Sequence, residues 1–291
     1  MKVLVTGAGG QLGLDLMTAF AASTAYEVVG ATHATLDVAD RDAVASTMAE
    51  VAPAIVVHAG AWTAVDACES DPDRAWAVNA MGPRHVAQAA RRGGAHLVYV
   101  STDYVFSGRA TSPYTEWDEP APASMYGRSK LGGEREVLAG CPGAAVVRTS
   151  WVCGVHGNNM LKTVLRLAAQ REVLHFVDDQ WGCPTFTEDL AATIVTLASR
   201  RLPGIWHVTN QGATTWYGFA RDVVAAAGRD PEMVRPIATA QLDPPRPAPR
   251  PAYSVLDNAA LRASGIGPLD DYHEPLRRAV AALAAGAGAR R

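Results

Sequence analysis

Tyr126 and Lys130 stand four residues apart in Tyr-Gly-Arg-Ser-Lys, a spacing that on a helix puts a phenol and an ammonium on one face, one turn apart. A free phenol titrates near pH ~10, and a neighbouring cation favours its ionised form, which brings proton transfer closer to neutral pH. The chemistry such a pair serves is general acid catalysis, with Tyr126 protonating a carbonyl oxygen while hydride reaches the carbon. The spacing alone is common, and a half-buried Tyr beside a solvated Lys is its ordinary alternative. Context comes from Ser101-Thr102-Asp103, directly after the apolar run His96 to Val100, where open α/β sheets place ligand-contacting residues. A hydroxyl from Thr102 or Ser101 would polarise the ketone, and Asp103 would accept from a substrate hydroxyl. The competing structural reading is a hydroxyl-rich turn that caps the following segment.

Hydride chemistry needs a carrier, and Thr6-Gly7-Ala8-Gly9-Gly10-Gln11-Leu12-Gly13 reads as its binding turn. It follows a β-branched run, Lys2 to Thr6, and opens a segment, Leu12 to Ala21, with apolar residues at helical spacing. Gly7, Gly10 and Gly13 would let the backbone turn tightly and let a pyrophosphate approach the positive end of the helix. A dinucleotide is therefore expected here. Its type stays open, because Ala31-Thr32-His33 offers neither an acid for the ribose hydroxyls of NAD nor an arginine for a 2′-phosphate. Asp37 and Val38 would lie along the adenine, although an Asp before a helix is as often an N-cap.

Further apolar runs at Glu27 to Ala31, Ala54 to Ala59, His96 to Val100 and Ala144 to Val147 alternate with helical stretches such as Arg41 to Val51 and Ala75 to Arg92. Continuous apolar strands interleaved with helices predict an α/β fold, a doubly wound parallel sheet of Rossmann type. Residues 1–150 would bind the dinucleotide. Residues 151–291 would form a smaller, mixed substrate-binding part, interleaved with the first, with a loop over the Pro-rich stretch Pro244 to Pro251. The Ala-Gly-Ala-Gly-Ala-Arg-Arg end reads as frayed. The 291 residues are 48% hydrophobic and 19% charged with a net charge of -3, enough for a large core and without the basic stripe that follows nucleic acid. There is no signal-peptide pattern at Met1 and no membrane-length apolar run. The scattered Cys68, Cys141, Cys153 and Cys183 read as reduced thiols, so a cytoplasmic protein with small-molecule partners is expected.

At this point the motifs match a known family. The chain resembles the dTDP-4-dehydrorhamnose reductases, extended short-chain dehydrogenase/reductases, from the glycine turn through T-A-V-D-A-C-E-S-D-P with Asn79, S-T-D-Y-V-F, Y-G-R-S-K-L-G-G-E, R-T-S-W-V and G-N-N-M. The resemblance continues through D-Q-W-G-C-P-T, G-A-T-T-W-Y and R-P-A-Y-S-V-L-D, and so covers nearly the whole chain. It implies reduction of the C4 ketone of dTDP-4-dehydro-6-deoxy-L-mannose to dTDP-L-rhamnose with NADPH or NADH. It implies Thr102, Tyr126 and Lys130 as catalytic, and Gly10, Gln11, Leu12, Asp37, Val38, Ala61, Trp62, Thr63, Val100, Tyr126 and Lys130 as cofactor contacts. For the substrate it implies Thr102, Asp103 and Trp151, with Arg250 as a diphosphate partner through a bidentate fork. Trp151 alone reads equally as a core aromatic, and Arg250 as a surface arginine in a Pro-rich loop.

The departures bear on the sugar pocket: Cys153 stands where many members carry Tyr or Phe, and Trp181 where smaller aromatics are common. Some members hold Mg²⁺ at a dimer interface. Asp15 and Glu188 lie in the comparable segments, but the chain ends without a matching acid, so a homodimer is possible and no required metal is expected. The rival readings are a reductase of another dTDP-4-keto sugar, such as a dTDP-dihydrostreptose synthase, and a non-catalytic nucleotide-binding subunit like the regulatory subunit of methionine adenosyltransferase. The intact Thr102, Tyr126 and Lys130 argue against the latter. A dehydratase would need an acid after Asp103, where Tyr104 stands.

Overall fold

Alternation within each strand decides which helical layer a residue serves. Val3 and Val5 enter one apolar cluster and Leu4 the other, and Ile55 and Val57 against Val56, or Val98 against Leu97 and Tyr99, repeat the division. Strands covered on both faces must be apolar at every position, which is why they read as continuous runs. The computed structural model describes residues 1–288.

The first half of the chain runs β1 (Lys2–Thr6), α1 (Gln11–Ala21), β2 (Glu27–Ala31), α2 (Arg41–Val51), β3 (Ile55–His58), α3 (Val65–Ser70), α4 (Pro72–Trp76), α5 (Gly82–Gly93), β4 (His96–Thr102), α6 (Met125–Gly140) and β5 (Ala145–Thr149). The second half runs β6 (Val152–Cys153), α7 (Met160–Gln170), β7 (Leu174–Val177), β8 (Trp181–Gly182), β9 (Thr185–Phe186), α8 (Thr187–Ser199), β10 (Gly204–His207), β11 (Thr214–Thr215), α9 (Trp216–Ala226), β12 (Val234–Ile237), α10 (Ala259–Ala263) and α11 (His273–Gly288). Among the described residues, six strands form a parallel sheet in the order β10-β5-β4-β3-β1-β2. Leu16 and Phe20 of α1 and Leu190, Ile194 and Leu197 of α8 cover one face. Val44 and Met48 of α2, Val86 and Ala90 of α5 and Val137 of α6 cover the other.

This is the doubly wound α/β sheet that the patterning predicts. Strand order reverses at β1, whose neighbours are β2 and β3, and such a switch point opens a crevice at the carboxyl ends of the strands. The second half of the chain returns to this sheet with α8 and β10. The rest of it builds a separate apolar cluster from Leu161 and Val164 of α7, Phe219 and Val223 of α9, Leu174, Val234 and Leu276.

Two helical segments depart from simple regularity or from expectation. Ala75 to Arg92 is helical throughout, as expected, but with a π-helical turn at Ala77–Met81 between α4 and α5, and such turns are frequent at functional sites. At the carboxyl end the chain is helical to Gly288, and the part of the frayed tail expected beyond it lies outside the described residues. The stretch Pro244 to Pro251 is without regular structure, as its prolines require.

Candidate active site

The turn after β1 is shaped by backbone contact. Gly7 has φ +74°, and a Cβ on it would lie 2.7 Å from the Gly60 nitrogen after β3; a Cβ on Gly13 would lie 2.2 Å from the Gly7 carbonyl oxygen. No side chain caps the N-terminus of α1, so the first amides of the helix are left for a ligand. A backbone cradle that any Cβ would fill, at the switch point of the sheet, fits a pyrophosphate. From this turn two clefts open. One, of about 440 Å³, is lined by Gly7, Gly10, Gln11, Leu12 and Gly13, by Ala61, Thr63 and Val100, and by Thr102, Asp103, Tyr126, Lys130 and Trp151. The other, of about 630 Å³, is lined by Thr32, His33, Asp37, Val38, Ala61 and Trp62. The structure thus brings the expected dinucleotide residues together, with Asp37 and Val38 at the end away from Tyr126.

Ser124 starts α6 by accepting the Gly127 N–H at 3.1 Å, which fixes Tyr126 in the first turn. A Cβ on Gly127 would lie 2.1 Å from the Tyr104 carbonyl oxygen, so the glycine lets the helix press against the segment after β4. The phenol of Tyr126 is buried, its ring edge-on to Tyr104 with centroids 5.5 Å apart. Burial pushes the phenol above its usual range, and a hydrogen bond with Thr102 opposes this. Lys130 Nζ donates to the Val100 carbonyl at 2.7 Å and lies 4.2 Å above the Tyr99 ring. Burial pulls this ammonium down to about 7, against the nearby Glu134 carboxylate. The lowering of the tyrosine pKa anticipated from helical spacing is therefore outweighed by desolvation.

Thr102 and Ser101, equivalent in the sequence, part company. Ser101 donates to Glu134 Oε1 at 2.5 Å, and Glu134 is gripped by Arg148, Nη2 to Oε2 at 2.7 Å. Ser101 is thus committed to a buried ion pair, while Thr102 lines the cleft with the Tyr126 phenol. The single proton of the Thr102 hydroxyl goes to Asp103 Oδ1 at 3.0 Å. Asp103 Oδ2 is buried beside the Ser254 hydroxyl, which favours its ionised form and lies 3.3 Å from the Trp181 carbonyl. Burial pushes the Asp103 carboxyl up to about 6.

The sequence matches the family profile described as RmlD substrate binding domain over residues 1–285. A dTDP-4-dehydrorhamnose reductase of Streptomyces griseus is 44% identical, over 98% of this chain and 95% of the relative. This chain belongs to the dTDP-4-dehydrorhamnose reductase family. A probable dTDP-4,6-dihydroxy-2-methyloxan-3-one 4-ketoreductase of Streptomyces antibioticus is 42% identical, over 96% and 94% of the two chains. The Bacillus anthracis dTDP-4-dehydrorhamnose reductase solved in complex with NADP superposes with a TM-score of 0.91 at 37% identity, covering 96% of this chain and 98% of that one.

In this family member Trp151 is not a plain core aromatic. It has φ +46° and stacks on Trp216 with centroids 3.5 Å apart, and both rings line the cleft with Tyr126. A bulky residue in the left-handed region is held only by over-determined surroundings. Arg250 lies one cleft further on, with Arg246, Tyr104 and Trp216. It is no solvated surface arginine, because Asp66 takes its fork at 2.8 Å on both nitrogens. Asn79 is a site residue to which the sequence assigned no role. Its Oδ1 accepts the Trp62 N–H at 2.8 Å, and its Nδ2 donates to the Trp62 carbonyl at 3.0 Å and to Ser129 at 3.1 Å. The π-helical turn aims it there, and no local pattern announces such a turn. Asp15 faces His156 at 3.5 Å and Glu188 faces Arg278 at 3.8 Å. Among the described residues no group of three His, Cys, Asp or Glu side chains could hold a metal ion.

Proposed function

We propose that the chain reduces the C4 ketone of dTDP-4-dehydro-6-deoxy-L-mannose to dTDP-L-rhamnose with NADPH, in the cytoplasm. The observation that carries this reading is the convergence of Thr102, Tyr126 and Lys130 with the glycine turn on one cleft. The family name and the NADP complex of the Bacillus anthracis relative support the cofactor and the substrate class.

The bound dinucleotide supplies hydride to C4. Tyr126, kept protonated by burial, gives its phenolic proton to O4 as the alkoxide develops. Thr102, turning its hydroxyl from Asp103 to the same oxygen, donates a hydrogen bond there and so favours the charge that builds. Lys130 presents its ammonium to the dinucleotide ribose beside the tyrosine. Gly10, Gln11, Leu12 and Gly13 would hold the pyrophosphate at the start of α1, and Ala61, Trp62 and Thr63, after the interior strand β3, would flank the dinucleotide. Asp103 accepts from a sugar hydroxyl, Trp151 lies against the hexose, and Arg250 binds the diphosphate. Residues 1–150 carry the dinucleotide in this scheme, and residues 151–291, interleaved with them, bind the nucleotide sugar together with Thr102 and Asp103. A homodimer without a required metal is the assembly we extend it to, read by light scattering with and without a chelator.

A second reading, a reductase of another dTDP-4-keto sugar, is favoured by the Streptomyces antibioticus relative; Cys153 packs in the apolar cluster of the second half, and neither it nor Trp181 lines the clefts that hold Tyr126 and Arg250. The deciding experiment follows nicotinamide oxidation with enzymatically generated dTDP-4-dehydrorhamnose and identifies the product by mass and NMR. Rapid formation of dTDP-L-rhamnose is expected. Tight NADPH binding without turnover would move the assignment to another keto sugar.

A further inference from the structure

The Pro-rich segment has no regular structure of its own, yet one carboxylate fixes it. Asp66 Oδ1 accepts Arg250 Nη1 at 2.8 Å and the Ala248 N–H at 3.1 Å, and Oδ2 accepts Arg250 Nη2 at 2.8 Å. Arg250 Nη1 also donates to the Ala248 carbonyl at 3.0 Å, and Arg246 Nη1 lies 3.9 Å from Oδ2. Hydrogen bonding from Arg250 holds the Asp66 carboxyl below its usual range. Asp66 belongs to α3, three residues after Thr63, which lines the cleft with the glycine turn. Its neighbour Val65 lines both that cleft and the one with Arg246 and Arg250.

We propose that Asp66 is a positioning residue: its carboxylate aims Arg250 at the substrate diphosphate. This rests on the reading of Arg250 as the diphosphate partner. Two guanidiniums against one carboxylate leave the cleft net cationic. A guanidinium has five N–H donors, and the Asp66 and Ala248 contacts leave Nε–H and one Nη2–H of Arg250 for phosphate. Geometry and bulk charge make opposite predictions here. If charge alone mattered, neutralising Asp66 would tighten binding of a dianionic substrate; if Asp66 sets the aim of Arg250, it weakens binding.

Steady-state kinetics of Asp66→Asn, Arg250→Ala and the double variant separate these, with dTDP-4-dehydrorhamnose and NADPH as substrates. Asp66→Asn is expected to raise KM for the nucleotide sugar roughly five- to thirtyfold, with kcat within about twofold. The double variant should be no worse than Arg250→Ala, because the two residues act through one contact. Asp66→Glu, which keeps the charge and displaces it, should give an intermediate KM and serves if the asparagine variant folds poorly. A raised KM in Arg250→Ala with an unchanged or lowered KM in Asp66→Asn overturns the positioning role alone. An unchanged KM in Arg250→Ala overturns the diphosphate reading, and with it this proposal. Fully additive losses would show that Asp66 acts through something other than Arg250, and also overturn it.

Discussion

An acid must hold its proton until the substrate takes it, and the burial of Tyr126 does this in the direction of reduction. With the phenol pushed above its ordinary range, the protonated form dominates at neutral pH, and Thr102 stands ready for the charge that builds on oxygen. Tyr126→Phe should therefore leave the fold and the NADPH dissociation constant unchanged and lower kcat by roughly two to four orders of magnitude. Single-turnover kinetics with the product identified checks this, and near-normal turnover would remove Tyr126 from its role. Asp103 illustrates the cost of a buried charge. Its carboxyl is raised from 3.8 to about 6, so between these values the unfolded chain has lost its proton while the folded chain retains it. Stability then falls as pH rises through this window and stays lower above it. Asp103→Asn keeps the Oδ1 acceptor for Thr102 and removes the charge. It should stabilise the protein by about 1–3 kcal/mol at pH ~7.5, with no gain below pH ~4, while weakening sugar binding. Urea unfolding at both pH values reads the difference; an equal gain at both would mean that the charge is not its source.

At the scale of elements, the dinucleotide turn works because two strands and a helix meet backbone to backbone. Gly13 presses on the Gly7 carbonyl, so Gly13→Ala must push α1 off the turn. We expect NADPH binding to weaken at least tenfold, about 1.4 kcal/mol or more, with a lower melting temperature, measured by fluorescence titration and thermal melts. The loop after β3 has a different support. Asn79 reaches it from the π-helical turn and satisfies both backbone groups of Trp62. Asn79→Ala leaves those groups without their partner and should raise the Kd for NADPH, with hydrogen exchange at Trp62 accelerated. Unchanged exchange there would show that the loop does not depend on this side chain.

Across the whole molecule, α6, β4 and β5 are joined through the buried Glu134–Arg148 pair, each side chain 2% exposed. Ser101 on β4 donates to the same carboxylate, so the strand end that carries Thr102 and the helix that carries Tyr126 and Lys130 share one anchor. Removing one member strands the other charge: Glu134→Ala should cost about 3–5 kcal/mol of unfolding free energy. Replacing both, as in Glu134→Leu with Arg148→Met, should recover most of that loss, because well-packed apolar groups do not pay for desolvation. Denaturant unfolding of the two proteins checks the contrast. If the double variant is as unstable as the single one, the pair contributes attraction beyond offsetting its own burial.

The strands, the glycine turn, the Tyr-x-x-x-Lys helix and the hydroxyl-rich strand end were legible in the chain itself. Each is local: periodicity reports how many faces are buried, and glycine spacing reports where backbone must approach backbone. Residues far apart in sequence were assigned only by tertiary packing. It committed Ser101 rather than Thr102 to an ion pair with a partner 33 residues away, and it stacked Trp151 on Trp216. It placed Asp66 under Arg250 across 184 residues. Tertiary packing also set the sign of the shift at Tyr126, since a charge one helical turn away is visible in a sequence and the water removed by the surrounding fold is not.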